Sequence, residues 1–404
     1  MESLVSVSPG FETRYVSRAA LLGRDYRGVN FELLCEPGDE VKSGAAVMRD
    51  LRRPEITFSA PVGGRIIRIE RGARRKLISL QIDVGDAPAV AEFEPPDGND
   101  SVSIRNFMLA SGAWSSLRTR PFGNIPDPAG KPAAVFVTAL DAEPLAPDTR
   151  TVIDTYLQEF RAGVGALASI DDAPLYVCHA QDHALKFEDS SRIRCVNFNG
   201  GYSAGLPGVH INALCPIGLG GGEVWHIGYQ DVIALGHLLL HRKPWLQRII
   251  SLGGNAVKNP RSLAVYPGSA IDELLANEVK DGPSQILAGS SVYGRQISPG
   301  SAYLGAGQRQ ITVLGTSASD SVDTTAATNN AVIPSEALEK LILPGIFPVP
   351  LMRALQLGDA ERARELGALE LVEEDVMPLS GACVSHSDYA SLLRDVLDQL
   401  EATR

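Results

Sequence analysis

The sequence has 404 residues, enough for two or three domains at roughly 150 residues each. Hydrophobic residues make up 44% and charged residues 21%, the balance of an ordinary folded protein, which excludes wholesale disorder. The 37 Lys and Arg against 48 Asp and Glu leave a net charge of −11, which excludes a uniformly basic nucleic-acid binder.

The start, Met1-Glu2-Ser3-Leu4, has neither a basic nor an apolar region, so no secretory signal is expected. Residues 28–85 read as short strands between tight turns. Glu36-Pro37-Gly38-Asp39 and Ala60-Pro61-Val62-Gly63-Gly64 are turn chemistry, and Val41, Ala45–Met48, Ile56–Phe58, Ile66–Ile69 and Leu77–Ile82 are strand-like. The two halves resemble a biotinyl/lipoyl sandwich. The hairpin that would carry the modified lysine reads Asp50-Leu51-Arg52-Arg53-Pro54 and has none, so a structural or docking module is expected. The same region is basic, with nine Lys or Arg against three Asp or Glu between Arg49 and Lys76. Such clustering marks either a solvated face or a surface that attracts an acidic partner or an anionic lipid surface.

Residues 86–105, with Pro88, Pro95 and Pro96, read as a linker, overlapping a helix-like stretch from Ile104 to Leu109. Ala133–Val137 is a short apolar run of the kind found in a parallel sheet. Thr149–Leu167 has helical spacing through Val152, Tyr156, Phe160 and Val164, and Leu175–Cys178 and Arg194–Phe198 are further strands. Strand, helix and strand in this order predict an α/β domain. Val209–Ala213 alternates like a strand, and Tyr229-Gln230-Asp231 opens a helix reaching Leu240. A small β unit begins at Arg248–Leu252 and extends to about Leu314. Gly315–Asn330 contains one aliphatic residue larger than alanine, Val322, and is expected to be a flexible linker.

The tail is helical: Pro334–Leu343, Leu351–Leu357, Ala360–Leu366 and Tyr389–Leu400. Its longest apolar run, Leu341–Met352, holds Pro344, Pro348 and Pro350 and is too short to span a bilayer, so no transmembrane segment is expected. From Asp359 to Glu401 there are eleven Asp or Glu and three Arg, so the chain is basic near one end and acidic near the other.

The usual catalytic signatures are weak. Cys35, Cys178, Cys195, Cys215 and Cys383 form no Cys-x-x-Cys pair, which suits a reducing compartment and leaves no cysteine-based metal site. Gly201-Tyr202-Ser203-Ala204-Gly205 matches a nucleophile elbow, but the helix the motif requires is not evident after it. A serine hydrolase acting through Ser203 is therefore a remote alternative. Gly218–Gly222 lacks the spacing of a phosphate loop and reads as a hairpin loop between strands. His237 and His241, like His179 and His183, stand four apart and could share a metal, yet surface or core histidines are the better reading and no metal is expected.

Five stretches in register carry more information: Leu117-Arg118-Thr119-Arg120-Pro121-Phe122, Ser203–His210, Tyr229–Ala234, Leu252–Arg261 and Leu369–Asp375. Together they resemble the NqrA family, the A subunits of the Na+-translocating NADH:quinone reductase, along nearly the whole chain. The C subunit of the Rnf complex and the flavin-binding subunit of complex I are more distant likenesses.

The resemblance implies an α/β multidomain fold. A lipoyl-like barrel-sandwich hybrid with an N-terminal extension would cover residues 1–100, and a Rossmann-like α/β domain of the complex I flavin-subunit type residues 101–245. An SLBB-like β-grasp domain would follow at 246–314, a flexible linker at 315–333 and a helical domain at 334–404. It implies a peripheral subunit on the cytosolic face of the inner membrane. Its partners would be the other reductase subunits, the membrane-embedded NqrB especially, with the basic 49–76 hairpins as a docking surface. Ubiquinone is implied as a substrate, with no tightly bound cofactor. An aromatic and Arg-lined pocket for the quinone head would draw on Trp114, Arg118, Arg120, Phe122, His210, Tyr229, Gln230 and Asp231.

Two departures from the family pattern shape the expectation. The position taken as the first β–α turn reads Ser111-Gly112-Ala113-Trp114-Ser115-Ser116, where an indole would obstruct a flavin phosphate. The four-cysteine cluster motif of the cluster-carrying relatives is reduced to Cys383, so neither flavin nor iron–sulfur cluster is expected. The region between Leu314 and Pro334 is short for the family, which leaves a specialised paralogue, docking onto another redox protein, as an alternative.

Overall fold

Two small sheets face each other near the start of the chain in this structure, a computed structural model. It describes residues 10–86, 88–183, 185–187, 191–218, 222–292, 294–297, 302–316 and 331–403. The first strand, β1 (Glu12–Arg14), bypasses these sheets and pairs in parallel with Leu263–Val265 of a later one. The sandwich is built from β2 (Arg18–Leu22), β3 (Phe31–Leu33), β4 (Glu40–Val41), β5 (Ala46–Asp50), β6 (Thr57–Ser59), β7 (Gly64–Arg71) and β8 (Leu77–Val84). The orders are β2-β8-β7-β4 and β3-β5-β6. Val47, Phe58, Ile66, Leu80 and Ile82 are fully buried between them, while the arginines of β7 point outward.

The α/β domain opens with α1 (Ser101–Ala110), whose N-terminus is capped by Asp100 through the Val102 and Ser103 amides, both at 3.0 Å. The stretch 101–105, expected as linker, is thus the first turn of this helix. Then come β9 (Arg118–Arg120), β10 (Val135–Ala139), α2 (Thr149–Thr155), α3 (Leu157–Ser169), β11 (Leu175–Ala180), β12 (Ile193–Phe198), α4 (Pro207–Leu214), β13 (Val224–Gly228) and α5 (Tyr229–His241). Tyr156, at φ −118° and ψ 38°, breaks what its spacing predicts as one helix into α2 and α3.

The sheet order is β12-β11-β10-β13-β9. The first four strands run parallel, and β9 is an antiparallel edge. From β10 the chain therefore moves outward one way to β11 and β12, then returns to the other side of β10 with β13. β10 is buried at all five residues, as a central parallel strand must be.

Two sequence expectations fail here. Val209–Ala213 is not a strand: it lies in α4, which starts at Pro207, a residue suited to the first helical position. Gly218–Gly222 is consequently not a hairpin loop, because a helix precedes it and β13 pairs with β10 and β9; positions 219–221 lie outside the described residues.

The third sheet contains β14 (Arg248–Gly253), β15 (Arg261–Val265), β16 (Ser284–Ala288), β17 (Arg295–Ile297) and β18 (Gln310–Gly315), in the order β1-β15-β14-β18-β16-β17. A one-turn helix, α6 (Ile271–Leu274), follows β15. Most of the expected linker, 317–330, lies outside the described residues.

The tail comprises α7 (Glu336–Lys340), α8 (Pro348–Leu357), α9 (Ala360–Glu365), α10 (Glu373–Ala382) and α11 (Tyr389–Ala402). α10 is an addition to the helices read from the spacing; its first turn is Glu373-Glu374-Asp375, and the Asp375 carboxylate accepts the Val372 amide at 2.8 Å. Phe122 of the α/β domain is buried in the core of this tail, beside residues such as Leu379, Leu393 and Val396.

Candidate functional site

In an open parallel sheet, the crevice outside the strand ends where the chain reverses direction is the place prepared for a ligand. Here that point lies between the C-terminal ends of β10 and β13. A cavity of about 290 Å³ occupies it. It is lined by Thr138 near the end of β10, by Asp141 just beyond it, and by Gly228, Tyr229 and Asp231 around the start of α5, with residues from several further segments.

Its charges are arranged in pairs and singles. Arg309, from the loop before β18, donates through Nε to Asp141 Oδ2 at 2.5 Å, and this carboxylate beside it holds its pKa above the usual arginine value. Arg248, at the start of β14, pairs with Asp231. Its Nε and Nη1 are buried with no hydrogen-bond partner, as is Thr138 Oγ1. Unused buried donors of this kind call for a bound water or ligand. Arg118 pairs with no carboxylate among the described residues: its nitrogens donate to the carbonyls of Ser115 (2.6 Å), Leu117 (2.8 Å) and Asp25 (2.9 Å), and burial pulls its pKa down. The guanidinium sits 5.9 Å from the Tyr26 ring centroid.

Groups whose charged forms are disfavoured by burial complete the lining. Burial pushes the Tyr229 phenol up to about 12, and Gln230 Nε2 donates to its oxygen at 3.2 Å. Burial, with the Arg120 charge, keeps His226 well below the ordinary imidazole value. Burial also raises Glu143, helped by Asp141. Glu374, at the start of α10, is crowded by protein although its side chain keeps 41% of its surface towards the spaces it lines. That crowding raises its pKa; Arg120 opposes the shift and Asp375 adds to it.

Tyr26, Arg118, His226 and Glu374 also line a larger groove of about 1770 Å³, so the groove meets the cavity at these four residues. The sandwich contributes Arg71, Arg74, Arg75 and Lys76 to the groove, and the helical tail contributes Glu373, Asp398 and Glu401. Of the nine Lys and Arg from position 49 to 76, Arg49, Arg53, Arg65 and Arg68 pair with carboxylates of the same domain. The other five, Arg52, Arg71, Arg74, Arg75 and Lys76, form no such pair among the described residues and all line the groove.

Of the eight residues the sequence singles out, Arg118, Tyr229 and Asp231 meet at the cavity. Gln230 sits beside it as a clamp, donating from Nε2 to the Ile249 carbonyl at 2.7 Å and accepting the Ile249 amide at Oε1, 2.9 Å away. This fixes the strand that presents Arg248. The remaining four are placed elsewhere. Trp114 is fully buried, donates to the Pro126 carbonyl at 3.0 Å and packs edge-on against Trp225, with the Arg105 guanidinium beside both rings. Arg120 is also fully buried and binds Asp375 Oδ2 (2.6 Å), Glu374 Oε1 (2.9 Å) and the Glu370 carbonyl (3.0 Å). Phe122 lies in the helical core. His210 is buried against Phe198, and its Nε2 donates to the Ala204 carbonyl at 2.8 Å.

The obstruction argument built on Trp114 is corrected by the same geometry. Ser111–Ser116 precedes β9 and is not the first β–α turn of the parallel sheet. That turn follows β10 and reads Leu140-Asp141-Ala142-Glu143-Pro144-Leu145-Ala146-Pro147-Asp148. It contains no glycine, and it presents three carboxylates, Asp141, Glu143 and the α2 cap Asp148, where a phosphate would have to approach. Cys383 is buried and hydrogen-bonded within the tail, by Ser385 Oγ at 3.2 Å.

For Ser203, a helix does follow the motif, but only after a single 3₁₀ turn at Tyr202–Gly205. The nearby His210 spends its Nε2 proton on Ala204 rather than on serine. The residues at the cavity that sequence reasoning does not single out, Tyr26, Asp141, His226, Arg248, Arg309 and Glu374, come from six separate segments, and of these only Glu374 falls within one of the five stretches read above. The strand-order rule, applied to the residues just beyond β10, points there.

Comparison with known proteins accounts for the order of the domains. Residues 10–85 match the NqrA N-terminal barrel-sandwich hybrid domain, 99–243 the NqrA second alpha/beta domain, and 249–298 the NQRA C-terminal domain. The A subunit of the Na(+)-translocating NADH-quinone reductase of Serratia proteamaculans (strain 568) is 35% identical over 422 residues, covering 96% of this chain and 94% of that protein.

The chain belongs to the NqrA family.

The NqrA counterpart in Pseudomonas aeruginosa (strain UCBPP-PA14) is also 35% identical, and that of Klebsiella pneumoniae (strain 342) 34%, each over 96% of this chain and 94% of the relative. An NAD+-reducing [NiFe]-hydrogenase in the air-oxidized state superposes with a TM-score of 0.43 at 12% identity, over 76% of this chain and 67% of that one. Four of the five stretches that carry the NqrA resemblance supply lining residues of the cavity: Arg118, then Gly205, Leu206 and Pro207, then Tyr229 and Asp231, then Glu374. Among the described residues, no helix is long and apolar enough to cross a membrane.

Proposed function

We propose that this chain is the peripheral NqrA component of a Na+-translocating NADH:quinone reductase, held on the cytosolic face of the inner membrane by its partner subunits. Its cavity at the end of β10 receives the quinone head. The observation that carries the reading is the convergence of four NqrA-like stretches on one small, donor-rich space. At about 290 Å³ it falls just below the range for drug-sized ligand sites, roughly 300–1,000 Å³, and suits a single ring. A quinone presents two carbonyl acceptors and a flat apolar face. Arg118 and Arg248 supply donors, and Tyr26 and Tyr229 supply ring surface. Glu374, whose pKa is raised, stands where a proton could be delivered to a reduced carbonyl oxygen.

The Rossmann-like relationship of the α/β domain and the lipoyl-like one of the sandwich belong to this reading, supported by the parallel strand order and the facing sheets. So does the lack of a flavin or iron–sulfur cluster of its own. The supports for that are the glycine-free, acidic turn after β10 and the solitary Cys383.

Docking on the membrane-embedded NqrB would use the groove-lining cations Arg52, Arg71, Arg74, Arg75 and Lys76. The same feature favours a second reading, an adaptor for another acidic redox protein. The test is purification of the tagged chain from cells expressing the reductase subunits. NqrA function predicts that the membrane subunits co-purify in a salt-sensitive manner, less so with Arg74→Glu and Arg75→Glu, and that quinone-dependent NADH oxidation in the isolated complex falls with Arg118→Ala. An adaptor would bring down a different redox protein, and its activity would ignore Arg118.

A further inference from the structure

The helix pair α3 and α5 carries a separate cluster of ligating groups, set by how closely the two helices approach. A Cβ on Gly236 would lie 1.7 Å from the Glu159 carbonyl oxygen, and one on Gly163 would lie 2.1 Å from the Val232 carbonyl oxygen. The helices therefore touch backbone to backbone, which only glycine at both positions permits. His237 and His241 are one turn apart on α5 and share a face, with ring centroids 4.4 Å apart. Glu159 of α3 meets them there: His241 Nε2 lies 3.1 Å from Glu159 Oε1. One ligand atom from each of the three residues falls within 4.8 Å of the others.

We propose that Glu159, His237 and His241 form a binding site for one divalent transition-metal ion of the zinc class. Bonds of about 2.0–2.2 Å in a tetrahedron place neighbouring donor atoms about 3.3 Å apart, so the present spacing needs only side-chain rotation to close around an ion. Two imidazoles and one carboxylate select zinc, cobalt, nickel or copper over calcium and magnesium, which take oxygen. Water would fill the fourth position, on the side where His241 is half exposed.

The position gives the ion a mechanical role. His241 is the last residue of α5, and the chain then turns through Arg242, at φ 59°, towards β14 of the third sheet. A metal here fastens the end of α5 to α3 just before the chain leaves the parallel sheet. Neither histidine belongs to the cavity, and the proposal stands apart from the quinone reading. The competing account is a plain His241–Glu159 ion pair, in which His237 has no part.

The experiment uses the full-length, tag-free chain after treatment with a chelator. Zinc chloride is titrated calorimetrically, and melting is followed with and without zinc. The site predicts one ion per chain with a micromolar or tighter Kd and a melting temperature raised by several degrees. Affinity falls at least about tenfold in each of Glu159→Gln, His237→Ala and His241→Ala. Because position 241 is exposed, His241→Ala should melt like the parent without metal, which separates lost ligation from lost folding. The absence of saturable one-to-one binding overturns the proposal. So does affinity that survives either histidine substitution.

Discussion

Arg120 and Asp375 are each fully buried, 255 residues apart in sequence, and their side chains meet at 2.6 Å. The contact joins the edge strand of the parallel sheet to the first turn of α10. Arg120 also reaches Glu374, so one guanidinium answers two carboxylates beside the cavity. A buried pair of this kind adds little stability compared with a well-packed apolar pair, but breaking it strands a charge.

Arg120→Ala should therefore lower stability by about 3–5 kcal/mol, because Asp375 would keep its charge with no cation beside it. Denaturant unfolding of the two proteins measures the loss. The double variant Arg120→Met with Asp375→Leu should recover most of it, since both charges leave together.

His210 makes stability depend on acid. Burial depresses its pKa from 6.5 to about 4. A lowered folded value means that its contribution is fully present above pH 6.5 and is lost as pH falls towards 4. Between pH 7 and 5 the cost is about 2 kcal/mol. His210→Gln keeps a donor for the Ala204 carbonyl without a titrating ring. Urea unfolding at both pH values should show a smaller difference for the variant by about that amount.

The α3–α5 contact predicts a steric effect. Gly236→Ala places a methyl 1.7 Å from the Glu159 carbonyl oxygen, a distance no side-chain rotation relieves. The helices must part, at a cost of at least about 2 kcal/mol. Gly165, on the same helix as Gly163, has nothing within 4 Å of an added Cβ. Gly165→Ala should be neutral or slightly stabilising through helix propensity. Melting curves of the pair decide the matter.

What the residues disclose in advance follows from how local each signal is. The apolar run of β10 and the helical spacing around Phe160 depend on near neighbours, and they stand where the sequence puts them; the start of α1 does not, because Asp100 caps a helix that begins at Ser101, inside the expected linker. The α4 segment misleads because Val209-His210-Ile211-Asn212-Ala213 alternates in polarity. Its helix is buried unevenly, with His210 inside, and Pro207 is the better guide. Trp114 shows the opposite limit. An indole near a glycine suggests a blocked cradle, but only the strand order shows that the first β–α turn lies elsewhere, beyond β10. The cavity gathers single residues from distant segments: Tyr26, Arg118, Asp141, Tyr229, Arg248, Arg309 and Glu374. No spacing along the chain encodes that meeting.

The measurement that bears most directly on the cavity is equilibrium binding of a short-chain ubiquinone to the purified chain, followed through tyrosine and tryptophan fluorescence. The account expects saturable one-to-one binding in the parent, weakened about tenfold or more in Arg118→Ala and in Arg248→Ala. A folded Arg118→Ala or Arg248→Ala protein that binds the quinone as well as the parent would contradict it, as would a parent chain that shows no saturation at all.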